Sequence, residues 1–412
     1  MTDTTARRVA AAAPSIAAAS ALAAGVRLHE IDLLRGLVIV LMALDHVRDY
    51  FHAGAFTFDP LDPDRTNAVL YATRWITHLC ATAFVFVAGV SAFLQTAKGR
   101  QTPQLSGFLL SRGLWLVALE ATVLSFGWSF AVPYPLFLQV IWAIGWSMVA
   151  LAGLVWLPRA AVLALGIAIV AGHNLLDPLT PDRFGPLALA WTFLHEGGPL
   201  VLGDTPIGIV LYPVLPWIGV MAIGYGLGAV FLEPAPKRDR ALLALSATMI
   251  ALFILLRGLN LYGDPGPWTA QGDPVRGAMA FLDVQKYPPS LMYVLATLGI
   301  SLGLMPLLAR LRGPARGVLL GFGAVPFFFY VVHVYLVHAL AIGANAALGR
   351  EAGGMFNFFV NMIAAPERYL HLGFPLVGVY VAWIIVLALL YPACRWWGQV
   401  KRTRRDWWLS YL

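Results

Sequence analysis

Charge is what this sequence has least of. Only 12% of its 412 residues are Asp, Glu, Lys or Arg, about half the share a soluble domain carries. A water-soluble multidomain enzyme is therefore excluded, because its surface would lack the groups that solvate it. Cysteine is nearly absent too, with Cys80 and Cys394 the two present. The span order given below puts them at opposite depths, so no disulfide joins them. Both read as small buried residues. No spacing of Cys or His has a metal-binding pattern, and no metal is expected. Acidic residues are short as well, leaving a formal charge of +7. Basic excess can signal nucleic acid, but here it sits in short clusters between apolar runs, and no nucleic-acid module is present. Nucleic acid is excluded as a partner.

What is present is apolar length. Hydrophobic residues make up 59% of the chain and gather into segments at 31–51, 75–95, 112–132, 136–157, 160–176, 207–231, 241–262, 290–309, 318–345 and 372–392. Each is near the ~20 residues that a bilayer requires, the fifth somewhat short. Lipid offers no partner for free backbone groups, so the spans are expected to be helical. The fold class predicted is all-α, a polytopic transmembrane bundle of about ten helices over 29–395. A flexible Ala-rich tail (1–28) precedes it. A basic and aromatic interfacial tail (396–412) follows, with the sequence CRWWGQVKRTRRDWWLSYL running from Cys394.

Charge placement tests that segmentation. With the N-terminus cytoplasmic, most basic residues fall on the inner side, among them Arg7, Arg8, Arg27, Lys98, Arg100, Arg159, Lys237, Arg310 and Lys401. Asp59, Asp62, Asp64, Asp177, Asp182, Asp204, Asp273 and Asp283 fall in outer loops. An even number of spans with both ends cytoplasmic satisfies the positive-inside rule. The expected location is the bacterial inner (cytoplasmic) membrane. No internal repeat of the kind seen in many transporters is visible.

Ionisable groups inside spans are costly and mark function by default. The first span, IDLLRGLVIVLMALDHVRDYFH, carries Asp32, Arg35, Asp45, His46, Arg48, Asp49 and His52. Asp32, Arg35, Ile39, Met42, His46 and Asp49 share one helical stripe aimed at a neighbouring surface. Asp32 can pair with Arg35, and His46 with Asp49, across one turn. A carboxylate beside an imidazole fixes its tautomer and raises its basicity, which suits general-base catalysis. His46, His52, Asp45 and Asp49 are therefore the catalytic candidates, set against an interfacial role for the outermost charges. Arg74, His78, Arg257, Lys286 and His333 reach the same outer half and are substrate-binding candidates. Toward the inner side stand Arg35, Arg112 and Glu120. Arg112 doubles as a topogenic charge, and Glu120 is expected to pair with a basic neighbour. Arg35 and His46 are about 16 Å apart along the axis, similar to the reach of an extended pantetheine arm.

The first span, ATAFVFVAGVSAFL, PWIGVMAIGYGLG, KYPPSL and PFFFYVVH together resemble the bacterial branch of heparan-alpha-glucosaminide N-acetyltransferase-like membrane proteins, in the transmembrane acyltransferase superfamily. Characterised members move an acetyl group from cytoplasmic acetyl-CoA to a glucosamine amine across the membrane, using a histidine at the far end of the first span. The resemblance implies acetyl-CoA as acyl donor and matches the family's arginine-glycine start to Asp32, Arg35 and Gly36. It leaves the histidine open between His46 and His52. With the residues, it points to an acyltransferase that takes the acyl group from acyl-CoA, bound through Arg35 and Arg112, to an amine or hydroxyl of a periplasmic or envelope glycan or lipid-linked sugar. The alternatives are a transporter or flippase for a small or sugar-containing solute, and an assembly component without chemistry. Expected partners are the lipid bilayer, acyl-CoA and the glycan acceptor, with a homo-oligomer also compatible.

Overall fold

The computed structural model describes residues 28–55, 57–404 and 406–411. The N-terminal tail up to Arg27, including Arg7 and Arg8, lies outside the described residues. The chain folds into helices at every expected span. We label them α1 (His29–Phe51), α2 (Ala68–Ala97), α3 (Thr102–Ser129), α4 (Val140–Leu154), α5 (Arg159–Leu176), α6 (Val214–Leu232), α7 (Ala235–Leu259), the short α8 (Pro274–Leu282), α9 (Leu291–Ala309), α10 (Pro314–Gly323), α11 (Pro326–Ala347) and α12 (Leu376–Thr403). Eight of these are long and apolar enough to cross a membrane. Val140–Leu154 is apolar but only 15 residues long. The 23 residues of α1 would span by length but carry too many charges to count as an ordinary apolar helix.

Helix starts follow local chemistry. The Asn67 side chain accepts the N–H groups of Val69 and Leu70 at the start of α2, and the Ser290 hydroxyl accepts that of Tyr293 at the start of α9. Both are N-caps satisfying donors that a first turn leaves free. Three expectations change in detail. The segment 318–345 is two helices, because Pro326 supplies no N–H and opens a new helix, α11, instead of continuing α10. Residues expected at the start of the sixth span form a strand, β3 (Thr205–Val210), which pairs antiparallel with β2 (Gly198–Leu202) and parallel with β1 (Leu136–Leu138). The last helix runs to Thr403, past the 395/396 boundary between bundle and tail.

The central element is α1. It packs against α2, α9, α10, α11 and α12, and buries residues on every side, from Glu30 through Asp45, His46 and Arg48 to Phe51. Its polar groups therefore meet protein on all sides. The stripe of charges is not aimed at one neighbour: Arg35 donates to Ser91 on α2 at 2.6 Å, while His46 meets His333 on α11. Close approach of backbones makes this possible. A Cβ on Gly323 of α10 would lie 1.8 Å from the Asp32 carbonyl oxygen of α1, and one on Gly36 would lie 2.0 Å from the Leu319 carbonyl oxygen. Small residues at crossings are how membrane helices gain packing without a hydrophobic drive between them.

Gly323→Ala is expected to lower the melting temperature in detergent, at a cost of about 1–3 kcal/mol for overpacking. Gly258→Ala on α7, where a Cβ meets nothing within 4 Å, should leave it unchanged or raise it, by the higher helix propensity of alanine. Equal melting temperatures for the two variants would contradict the α1–α10 contact.

Candidate active site

Three cavities succeed one another through shared walls, the first two lined in part by α1. The first, about 290 Å³, is lined by Arg35, Ser91, Arg112, Phe84, Val140 and Tyr330. The second holds only about 20 Å³, shares Phe84 and Val140 with the first, and is bordered by Asp45, His46, Cys80, Gln139 and Lys286. The third, about 430 Å³, shares Lys286 with the second and is walled by Arg74, His78, Arg257 and Asp283. The middle space, beside His46, has room for about one water and shares walls with both larger cavities.

His46 is held by another histidine. Its Nδ1 lies 2.6 Å from His333 Nε2, with the rings stacked at 4.9 Å between centroids. His333 Nδ1 lies 3.1 Å from the Phe329 carbonyl oxygen. A carbonyl can only accept, so His333 Nδ1 carries a proton. In a pair of neutral rings, His333 Nε2 is then the acceptor and His46 Nδ1 the donor. The other nitrogen, His46 Nε2, is left with its lone pair and has no hydrogen-bond partner among the described residues. The edge of Trp128, 4.8 Å from His46 between centroids, fixes the ring from another side. The turn-to-turn pairing of His46 with Asp49 is not what forms: Asp49 takes the Arg48 guanidinium at 2.6 Å. Reach decides this, since Arg48 is long enough to bridge two carboxylates.

Beside His46, Asp45 is met by Arg48 at 3.2 Å, Arg74 at 3.2 Å and Lys286 at 3.9 Å. With Asp49 counted, three cations face two carboxylates. Buried charges need such partners, and the surplus positive charge borders the second and third cavities. His78 is fully buried on the third, with neither ring nitrogen bonded to protein.

The other candidates separate. Arg35 and Arg112 come together on the first cavity. Arg257 is committed to structure: its guanidinium donates to the carbonyl oxygens of Gly266 at 2.8 Å, Phe281 at 3.1 Å, Ala280 at 3.3 Å and Asp283, and pairs with Asp264 at 3.6 Å. It closes the loop that forms the third cavity's wall. His333 stands behind His46 and lines none of the three cavities. His52 caps the end of α1, where its backbone pairs with Phe374, and it too lines none of them. Glu120 pairs with no basic neighbour among the described residues. It accepts the Gln139 N–H at 3.2 Å, at the start of α4, where free helix donors favour a carboxylate. Phe84, Val140 and Gln139, which line the middle space, look in sequence like any other residues of apolar spans.

Asp283 lies in the loop after α8. Burial, and then the neighbouring Asp59, push its carboxyl up from 3.8 to about 6. A carboxyl that binds its proton more tightly when folded contributes stability at low pH, lost as pH rises between those two values. Asp283→Asn should therefore raise the melting temperature at pH 7 relative to the unaltered protein, with the difference vanishing near pH ~4. A difference that persists unchanged across thermal scans from pH 4 to 7 would count against a shifted Asp283.

Residues 27–262 match the family described as heparan-alpha-glucosaminide N-acetyltransferase, catalytic, which is more than half of the chain. The match takes in Arg35, His46, His52, Arg74, His78, Arg112 and Arg257, and ends before Lys286 and His333. No curated protein matches the chain. With its apolar helices and this match, the chain belongs to the heparan-alpha-glucosaminide N-acetyltransferase family of membrane acetyltransferases.

Proposed function

We propose that this protein moves an acyl group, acetyl foremost, from cytoplasmic acyl-CoA to an amine or hydroxyl of an envelope glycan or lipid-linked sugar on the far side of the bacterial inner membrane. The observation that carries the reading is a histidine with a free Nε2 lone pair beside the small space that shares walls with two larger cavities. In this reading the first cavity takes the donor. Arg35 and Arg112 are placed to hold phosphates of CoA, and the rise of α1 from Arg35 to His46, about 16 Å, suits the pantetheine arm. The third cavity, walled by Arg74, His78 and Lys286, takes the acceptor.

The chemistry follows from the proton positions. The acceptor N–H or O–H attacks the thioester carbonyl while His46 Nε2 takes its proton. The C–S bond breaks, and the CoA thiolate leaves as the thiol by taking the proton from His46 Nε2, which restores the neutral base. Arg74 or Lys286 stabilises the oxyanion. His333 accepts the Nδ1 proton of the imidazole, so the positive charge that arises when Nε2 is protonated is spread over a hydrogen-bonded pair. In the covalent variant, Nε2 attacks the thioester itself and passes the acyl group on from an acyl-imidazole, giving ping-pong kinetics. Cavities at both ends of the bundle also suit a transporter or flippase, but such a path has no need of an oriented base at its narrowest point.

Purified protein given radiolabelled acetyl-CoA and an amino-sugar acceptor should transfer label. His46→Ala should lower kcat by about 10²–10⁴, whereas His52→Ala should stay near the original rate. Arg35→Ala should raise KM for acetyl-CoA about tenfold, the loss of one charge-assisted bond. Full activity in His46→Ala would sink the assignment. Solute flux into liposomes without acetyl-CoA consumption would move the protein to the transport class.

A further inference from the structure

A second polar cluster lies outside all three cavities. His173 and Asp177 stand one helical turn apart where α5 ends. The π-helical turn Thr192–Glu196, just before β2, brings His195 against them. One ligand-type atom of each residue lies within 4.8 Å of the other two. His195 Nε2 is 3.1 Å from Asp177 Oδ1. Both histidines are 2% exposed; one nitrogen of His173 faces the Pro289 carbonyl, and its other nitrogen and Nδ1 of His195 have no hydrogen-bond partner among the described residues. Native proteins rarely leave buried polar atoms so, and a His173 nitrogen without a partner, within 4.8 Å of the His195–Asp177 pair, points to an occupant.

We propose that His173, Asp177 and His195 bind one divalent transition-metal ion of the zinc class. Two imidazoles and one carboxylate are the donor set such ions prefer. Calcium and magnesium want more oxygen ligands than the cluster offers. Bonds of about 2.0–2.2 Å place tetrahedral ligand atoms roughly 3.3–3.6 Å apart, so from separations within 4.8 Å the cluster has to close by at most about 1.5 Å through side-chain rotation. Asp177 is part exposed, leaving the fourth position to water.

The surroundings hold the ligands as outer-shell groups do. Asn174 donates to Asp177 Oδ2 at 2.9 Å and, through its own carbonyl oxygen, accepts the Leu291 N–H at 2.9 Å. The Pro289 carbonyl faces His173. Pro289 and Leu291 belong to the segment KYPPSL that begins with Lys286. The ion thus ties the end of α5 to the Thr192–Glu196 turn and abuts the segment that carries Lys286. This inference stands independently of acyl transfer.

The test uses the full chain, purified through a tag other than polyhistidine and stripped with chelator. Titration with ZnCl2 should show one ion bound per chain and a raised melting temperature. CoCl2 should give the intense visible bands of a four- or five-coordinate ion. His173→Gln and His195→Gln should each weaken zinc binding by at least about tenfold, the lower end of what even an outer-shell change costs, and should remove the thermal shift. His371→Gln, at an exposed histidine elsewhere, should change neither. Less than one zinc per chain, or equal uptake by the original protein and both cluster variants, would overturn the proposal. If the variants do not fold, the cobalt spectrum of the unaltered chain decides: a weak six-coordinate spectrum or none refutes it.

Discussion

An ionised carboxylate inside a lipid-embedded bundle must have cations held within reach. Asp45 imposes that condition on one end of this molecule. Its partners come from three places: Arg48 from one turn along α1, Arg74 from α2 and Lys286 from the segment between α8 and α9. Fixing Lys286 there fixes the loop above it, which Arg257 then ties to four backbone carbonyls. The third cavity is the space this tethering leaves. A charge that would be prohibitive on a lipid-facing helix is tolerated because α1 is enclosed by five others. The same enclosure lets His46 and His333 meet away from lipid.

Much of the fold was legible because the membrane allows so few solutions. Apolar length announces each helix, and the structure has a helix at every such segment. What the pattern could not show is where an apolar run breaks without changing composition. Pro326 divides one run into α10 and α11, and Gly208 within β3 lies so close to β1 that a Cβ there would sit 2.3 Å from the Leu136 carbonyl oxygen. Hydropathy is blind to both, since strand and helix residues here are equally apolar.

The site was legible by residue type and opaque in its pairings. Charges in α1 stand out because each is expensive, and Arg74, His78 and Lys286 stand out for the same reason. Which of them touch is decided by contacts spanning most of the chain, such as His46 with His333, 287 residues apart. Local helical spacing suggested Asp49 for His46, but the longer reach of Arg48 captures that carboxylate. His195 gave no local signal at all. It sits in an aromatic stretch, WTFLHE, where it reads as one more ring, and becomes a candidate ligand only once the end of α5 lies beside it.

The narrowness of the joint bears on what crosses it. A space of about 20 Å³ admits a water and excludes a sugar or a nucleotide outright. Opening it by movement of Phe84 and Val140 would pass a two-carbon acyl group long before it passed either larger body. A transporter needs its path to become wide enough for the whole solute, whereas an acyltransferase needs only that two substrates touch through a small aperture. In the proposed transfer, keeping that aperture closed would limit water beside His46, so that a thioester from one side would meet a base but little competing nucleophile until an acceptor filled the other.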